Sequence, residues 1–240
     1  MFASMIVAAA ATCTAVSPAH TVALVELYTS QGCSSCPPAD RWLSQLQANE
    51  RAIPLALHVG YWDYIGWKDP FARREFNERQ SLLARTNKNR SVYTPGVFVQ
   101  GRETPRWSDA RGFDAAVKSL NATPARAQIE LASMLEGRVV KAHAKATGAD
   151  AGTSQLFVAL TQGGLNTQVK AGENSGELLR NDHVAREWSG PLPLSGGSVA
   201  WTIPEGVDVD RLRLVAFVQE RASGLPIQAM STSLRRCEKN

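Results

Sequence analysis

Two cysteines at the junction of an apolar strand and a helix constrain this chain more than any other feature. Cys33 and Cys36 follow a nearly continuous apolar run at residues 21–28, and Pro37 and Pro38 come directly after them. Such a run is typical of a strand that is buried on both faces of a mostly parallel sheet. Because Pro37 lacks a backbone N–H, we expect the helix to begin there. The same cysteine spacing serves zinc knuckles, structural disulfides and redox centres, so the surroundings must decide among them.

The composition is that of an ordinary folded protein without a charge-driven partner. The 240 residues are 44% hydrophobic and 20% charged, which excludes disordered and collagen-like chains. The net charge of +4 comes without a basic block of the kind that binds nucleic acid. Four cysteines are too few for a disulfide scaffold. We therefore expect neither a nucleic-acid partner nor a fold built on disulfides.

The first 19 residues have the pattern of a secretory signal peptide. Residues 2–11 form an apolar run that is shorter than the roughly 20 residues a membrane helix needs, and Ser17 and Ala19 supply the small residues of a cleavage site. The first ten residues carry no Lys or Arg, which leaves a frayed tail as the alternative. We expect cleavage after Ala19, no stable membrane span and a periplasmic or secreted protein, in which Cys13 is lost and Cys237 remains.

The next segment, residues 20–122, alternates strand-like and helix-like patterns. The predicted order is strand, helix, strand, helix, strand, strand and helix, at residues 21–28, 39–49, 53–59, 71–88, 96–100, 103–107 and 108–120. Asp69 and Pro70 fit an N-cap followed by a proline in the first helical turn. This alternation predicts an α/β domain.

Residues 123–240 change to a period of two with glycine-rich turns. Lys141, His143 and Lys145 share one face of a strand whose other face carries small apolar residues. Similar strands are predicted at residues 156–161, 198–203, 211–219 and 227–234. We therefore expect an antiparallel β-sandwich-like C-terminal domain that packs against the first domain.

Three stretches around the cysteines carry a distinctive pattern: VELYTSQGCSSCPPAD at residues 25–40, HVGYWDYIGWKDPF at 58–71 and VYTP at 92–95. Together they resemble an uncharacterised family of secreted bacterial thioredoxin-like proteins, and the likeness extends into residues 181–188. The resemblance implies a thioredoxin-like fold for residues 20–122 and a location in the cell envelope. It also implies a cis peptide bond before Pro95, beside the cysteine pair. That family has no settled substrate, so the resemblance names none.

The placement of the cysteine pair predicts thiol–disulfide exchange. A thiolate is the attacking species, so we expect Cys33 to attack protein disulfides and Cys36 to resolve the mixed disulfide. The predicted partners are protein or peptide thiols and disulfides and a redox partner protein, with no cofactor and no metal. The direction of electron flow stays open, because a few tens of millivolts separate a reductant from an oxidant.

The ends of parallel strands meet at one edge of a sheet, which predicts that the aromatic loop at residues 58–67 lies beside the cysteines. We expect Tyr61, Trp62, Thr94 and Pro95 to bind an extended or unfolded peptide there. The alternative is a packed aromatic loop that only covers the edge of the sheet.

The sequence is also compatible with two other functions. The first is a non-enzymatic envelope binding or assembly protein, in which Cys33 and Cys36 form a static disulfide and the C-terminal domain supplies the surface. The second is a copper-handling protein, in which His58 joins the two cysteines as a ligand. Within the redox hypothesis, Asp63 is a candidate acceptor of the Cys36 proton.

Overall fold

The computed structural model describes residues 12–234, and within them the chain is mostly β-sheet with few helices. The helices are α1 Pro37–Ser44, α2 Arg74–Thr86 and α3 Ala110–Asn121. The strands are β1 Cys13–Val16, β2 Ala23–Thr29, β3 Ala52–His58, β4 Gly96–Val99, β5 Arg102–Glu103, β6 Gln128–Glu136, β7 Val139–Thr147, β8 Ser154–Gln162, β9 Leu165–Gln168, β10 Leu178–Asn181, β11 Val184–Leu192, β12 Gly197–Thr202, β13 Leu212–Glu220 and β14 Pro226–Ser233. The expectation of a β-rich C-terminal half is confirmed.

The largest sheet has eight strands in the order β14-β13-β8-β11-β3-β2-β4-β5. Only its middle is parallel: β2 pairs in parallel with β3, and β3 pairs in parallel with β11 through Ala56 and Val184. The remaining pairs are antiparallel, so the expectation of a mostly parallel sheet is wrong. The physical reason is that β11 joins the edge of β3 and brings its own antiparallel neighbours with it. Strands from residues 20–122 and from residues 123–240 therefore share one sheet.

The central position of β2 and β3 explains their apolar sequences. Every residue of both strands is buried. Leu27 of β2 contacts a cluster that includes Leu43 of α1 and Val117 of α3. Its neighbour Tyr28 faces the other side, where Phe76 of α2 lies in the same cluster. Helices thus cover both faces of this part of the sheet, as the continuous apolar run predicted.

A second sheet has four strands in the order β1-β6-β7-β12. Its inner face and strands β8, β13 and β14 of the large sheet enclose one hydrophobic cluster. In β7, Ala142, Ala144 and Ala146 are buried while Lys141 and His143 are exposed, which is the predicted alternation.

Two helix starts test the local predictions. Helix α1 begins at Pro37, as predicted, with Cys36 as its N-cap residue. Helix α2 begins at Arg74, so the prediction of a helix from residue 71 with Asp69 as its cap is wrong. The Asp69 carboxylate is engaged elsewhere, because its Oδ2 atom lies 2.7 Å from Nδ1 of His58 and its Oδ1 atom accepts the Phe71 N–H.

The amino-terminal strand β1 pairs with β6, with Cys13 opposite Ser133. Cys13 is disulfide-bonded. The apolar run at residues 2–11 and Cys237 lie outside the described residues, and cleavage after Ala19 stays a prediction. Among residues 12–234, no helix is long and apolar enough to cross a membrane.

Candidate functional site

A disulfide joins Cys33 and Cys36 in the turn between β2 and α1, with their Cα atoms 5.5 Å apart. The side chains are buried, with 1% of Cys33 and none of Cys36 exposed. An attacking thiolate is ordinarily at least partly exposed to solvent. In the oxidised state, both sulfurs are instead closed off from solvent.

The Thr94–Pro95 peptide bond is cis, as the resemblance implied. The carbonyl oxygen of Thr94 lies 3.8 Å from the Cys33 sulfur. Pro95 precedes β4, which pairs with β2 on the side opposite β3. The structure thus brings the cysteine turn and the Thr94–Pro95 segment together.

The aromatic loop after β3 also reaches this segment. Trp62 donates a hydrogen bond from Nε1 to Oγ1 of Thr94, at 2.7 Å. The hydroxyl of Tyr61 donates to Oε1 of Gln80, at 3.1 Å, and burial raises the pKa of Tyr61 to about 12. Gln80 in turn donates from Nε2 to the carbonyl of Tyr93. Both predicted aromatic residues therefore hold the chain just before Pro95 in place.

Exposed apolar side chains surround this junction. Tyr64 is 80% exposed and stacks on Trp62, with their ring centroids 6.5 Å apart. Val92 and Tyr93 are also exposed. Large apolar side chains that stay in water next to a functional group are typical of a binding surface.

A buried pair of ionisable groups lies beneath the cysteine turn. Nδ1 of His58 lies 2.7 Å from Oδ2 of Asp69, and the same oxygen accepts the backbone N–H of Gln31 at 2.8 Å. Burial acts to lower the pKa of His58, but the Asp69 carboxylate outweighs it and holds that pKa above its usual value. Burial acts in the opposite direction on Asp69, whose pKa is nevertheless lowered by His58. We infer an ion pair that anchors Gln31, two residues before Cys33.

Asp69 engages Nδ1 of His58, while Nε2 is buried and makes no hydrogen bond within the described residues. In the part of the chain that the structure describes, no group of three or more His, Cys, Asp and Glu side chains is placed to hold a metal ion.

Asp40 is a further buried carboxyl, one helical turn beyond Cys36. Its backbone N–H donates to the Cys36 carbonyl at 3.1 Å, and its Oδ2 atom accepts the hydroxyl of Thr29 at 3.1 Å. Burial raises the pKa of Asp40 to about 6, against the opposing effect of His58. The predicted proton acceptor, Asp63, is engaged elsewhere, since its Oδ1 atom accepts the backbone N–H of Asp69.

The C-terminal half of the chain contributes residues to the site. The sequence did not reveal this contribution. The Gln31 amide donates to Thr167 Oγ1 at 2.9 Å and to Asn181 Oδ1 at 3.1 Å. Residues 169–177, which link β9 to β10 and are called the covering loop below, lie against the cysteine turn. The resemblance at residues 181–188 was the only sequence signal of this contact.

Two residues of the covering loop bind the cysteine turn directly. Asn174 donates from Nδ2 to the carbonyls of Gln31 and Cys33, at 2.8 and 3.0 Å. Glu173 accepts with Oε2 from the hydroxyl and the backbone N–H of Ser34, at 2.7 and 3.1 Å. These bonds hold the pKa of Glu173 below its usual value, so its carboxylate is charged at neutral pH.

Comparison with known proteins identifies relatives without a named activity. A family model described as a protein of unknown function (DUF1223) matches residues 24–219. A structural-genomics protein from Agrobacterium tumefaciens is similar with 26% identity and a TM-score of 0.62, over 89% of this chain and 93% of that one. HBP35 of Porphyromonas gingivalis is similar in fold, with 14% identity and a TM-score of 0.58 over 92% of this chain and 78% of that one. No curated protein matches the chain.

Proposed function

This chain belongs to the DUF1223 family of proteins of unknown function, and we propose that it is a thiol–disulfide oxidoreductase with a thioredoxin-like site. Cys33 exchanges disulfides with the substrate and Cys36 resolves the mixed disulfide. The proposal depends on one observation above all: the Cys33–Cys36 disulfide precedes α1 directly, and the Cys33 sulfur lies 3.8 Å from the carbonyl of Thr94. A helix start favours thiolate at the preceding cysteines.

The proposed exchange needs no cofactor, because the bonds, electrons and protons balance between the protein and its substrate. A substrate thiolate attacks the sulfur of Cys33, the new sulfur–sulfur bond forms, and the bond to Cys36 breaks with its electron pair on Cys36. The Cys36 thiolate then takes a proton, for which Asp40 is suited because its pKa is about 6 and it lies one turn away. A second substrate thiolate attacks the substrate sulfur of the mixed disulfide and releases Cys33. The reverse sequence reduces a substrate disulfide.

The surface beside Cys33 supports a proposal for the substrate class. Tyr64, Val92 and Tyr93 expose apolar side chains around Trp62 and Pro95. Such a surface fits the apolar side chains of an extended or unfolded polypeptide better than it fits a small charged thiol. We propose protein or peptide thiols and disulfides as substrates, together with a redox partner protein that restores the active state.

The proposed location is the periplasm or the exterior of the cell. Two features support it: the signal-peptide pattern of residues 1–19, and a disulfide between Cys33 and Cys36, since such bonds persist in oxidising compartments.

Thiol trapping tests the proposed activity. The Cys36→Ser variant is expected to accumulate a mixed disulfide with an unfolded substrate protein that carries disulfide bonds, while the matched Cys33→Ser variant accumulates none. Wild type is expected to cycle its disulfide with glutathione and to catalyse insulin reduction or dithiol oxidation. If wild type catalyses neither reaction and Cys36→Ser traps no mixed disulfide, the proposed activity is refuted.

A second candidate function is favoured by the burial of both sulfurs. A static disulfide in a binding or assembly protein needs no access to solvent, and Cys33 and Cys36 are 1% and 0% exposed. In that case, a Cys33→Ala/Cys36→Ala protein retains full function in cells that lack the wild-type gene. For an oxidoreductase, the same variant restores no function at all.

A further inference from the structure

The covering loop is hydrogen-bonded to the turn that carries the proposed redox pair. Exchange at Cys33 requires a substrate sulfur to approach along the axis of the Cys33–Cys36 bond, yet Cys33 is only 1% exposed. Within the described residues, side chains of the covering loop donate to and accept from the cysteine turn at three positions: Gln31, Cys33 and Ser34. The loop is therefore fixed to the segment that carries the buried Cys33 sulfur.

Asn174 holds the loop in place through backbone contacts. Its amide donates to the carbonyls of Gln31 and Cys33, on either side of Gly32, and its side chain is buried by these contacts, at 6% exposed. Both bonds are made to carbonyls of the turn, so they depend on the turn geometry rather than on the chemical type of the turn side chains. Asn174 is thus a latch between two parts of the chain that are about 140 residues apart.

Glu173 acts on the chemistry of Cys33. Its carboxylate accepts the Ser34 N–H, the peptide group bonded directly to the Cys33 carbonyl carbon, and the Ser34 hydroxyl as well. A free N–H at this position would stabilise a Cys33 thiolate, as would the absence of a nearby negative charge. With Glu173 bound, the N–H is occupied and a carboxylate is hydrogen-bonded to the residue that follows Cys33.

The loop can leave this position as a unit. Its own hydrogen bonds close it at the base, from the Val169 N–H to the Glu177 carbonyl and from the Gly176 N–H to the Val169 carbonyl. A cavity of about 440 Å³ is lined by residues of the covering loop, β10 and α1, together with Ser34. The contacts of Glu173 and Asn174 with the turn are polar, so releasing them breaks hydrogen bonds rather than hydrophobic contacts.

We propose that the covering loop is a closed gate on Cys33, in which Asn174 latches the loop over the cysteine turn and Glu173 disfavours the Cys33 thiolate by occupying the Ser34 N–H. Glu173 and Asn174 are positioning residues, since neither contacts a reacting sulfur in the structure. The inference rests on the proposed redox function and adds its regulation: a partner that displaces the loop both exposes Cys33 and activates it.

The effect of Glu173 on the thiol pKa of Cys33 is measured in the Cys36→Ser variant. In that variant Cys33 has no disulfide partner and carries a free thiol, even if the wild-type protein has no redox activity. The rate of alkylation by iodoacetamide against pH reports the thiol pKa of Cys33. Glu173→Gln is expected to lower that pKa by about half a unit, the size of a single unit charge a few ångströms away in a solvent-exposed setting. Glu177→Gln is the matched control. Glu177 carries the same charge in the same loop but is not one of the two loop residues, Glu173 and Asn174, that bind the cysteine turn.

The latch is measured on the disulfide form of the full chain. Asn174→Ala is expected to speed reduction of the Cys33–Cys36 disulfide by dithiothreitol about tenfold, which is the size expected for the loss of one or two net hydrogen bonds. Circular dichroism confirms that the variant is folded. The gate is overturned if dithiothreitol reduces wild type and Asn174→Ala at equal rates. It is also overturned if Glu173→Gln lowers the thiol pKa of Cys33 by no more than Glu177→Gln does. A failure to trap substrates would instead refute the oxidoreductase activity, so the two failures are distinguishable.

Discussion

Replacing Asp40 with asparagine is expected to stabilise the protein at neutral pH and to leave its stability unchanged in mild acid. The side chain is buried, and Thr29 is its hydrogen-bond donor. Burial raises the pKa of Asp40 from 3.8 to about 6, which means that the folded protein prefers the protonated carboxyl. Asparagine has nearly the same shape, still accepts the Thr29 hydroxyl and carries no charge.

The sign and size follow from proton linkage. A carboxyl with a raised folded-state pKa contributes stability that is fully present below its unfolded pKa and is lost as the pH rises through its folded pKa. The shift of Asp40 from 3.8 to about 6 therefore costs the wild-type protein, at pH 8, on the order of 3 kcal/mol in free energy of unfolding. Asp40→Asn removes this cost. The charges of His58 and Asp69 act on Asp40 itself, so their effects are already included in its pKa of about 6.

Urea unfolding between pH 4 and pH 8, followed by tryptophan fluorescence, measures the free energy of unfolding of both proteins. The difference between Asp40→Asn and wild type is expected to rise from roughly 0 to 3 kcal/mol over this range. Asp40→Asn is expected to match wild type at the acid end, to exceed it increasingly between about pH 4 and pH 6, and to keep a constant advantage above that range. The control is Asp114→Asn, which removes an exposed partner of Arg51 and is expected to change stability by less than about 1 kcal/mol at any pH. A difference that is constant with pH, or an Asp40→Asn protein that is less stable than wild type at pH 8, would refute the reasoning.

Three further predictions concern the contacts that hold the site and the sheet. Arg79→Met leaves the buried Glu26 without its ion partner at 2.6 Å, and urea unfolding should show a loss of about 3–5 kcal/mol that Glu26→Gln partly restores. Trp62→Phe and Thr94→Val each remove one partner of the same hydrogen bond, so each should cost about 1 kcal/mol and the double variant less than the sum in a double-mutant cycle. Phe217→Ala empties a fully buried position in the shared sheet and should lower the free energy of unfolding by about 3–5 kcal/mol in the same assay.

Several features of the fold were predictable because they depend on neighbouring residues. The apolar run at residues 21–28 predicted a strand buried on both faces, and β2 at Ala23–Thr29 is such a strand. Pro37 predicted the start of α1. The alternation around His143 predicted β7. In each case the signal is a short-range one, namely side-chain period or the loss of a backbone N–H.

Asp69 shows where short-range reasoning fails. An Asp-Pro pair before a polar helix is a sound N-cap pattern, yet Asp69 binds His58 and the N–H of Gln31 instead. Those partners lie 11 and 38 residues away in the chain. A buried ion pair and two backbone N–H bonds outweigh the capping preference, which is worth about 1 kcal/mol.

The sequence by itself determined the central strands and the position of the cysteine pair at the start of a helix, because each depends on residues within a few positions of one another. Only the tertiary structure decided that β11 lies beside β3, and that Glu173 and Asn174 lie on the cysteine turn. Those contacts join residues more than 120 positions apart, and a glycine- and asparagine-containing loop has no local pattern that names its partner. Long-range packing, rather than local preference, therefore places the covering loop against the cysteine turn.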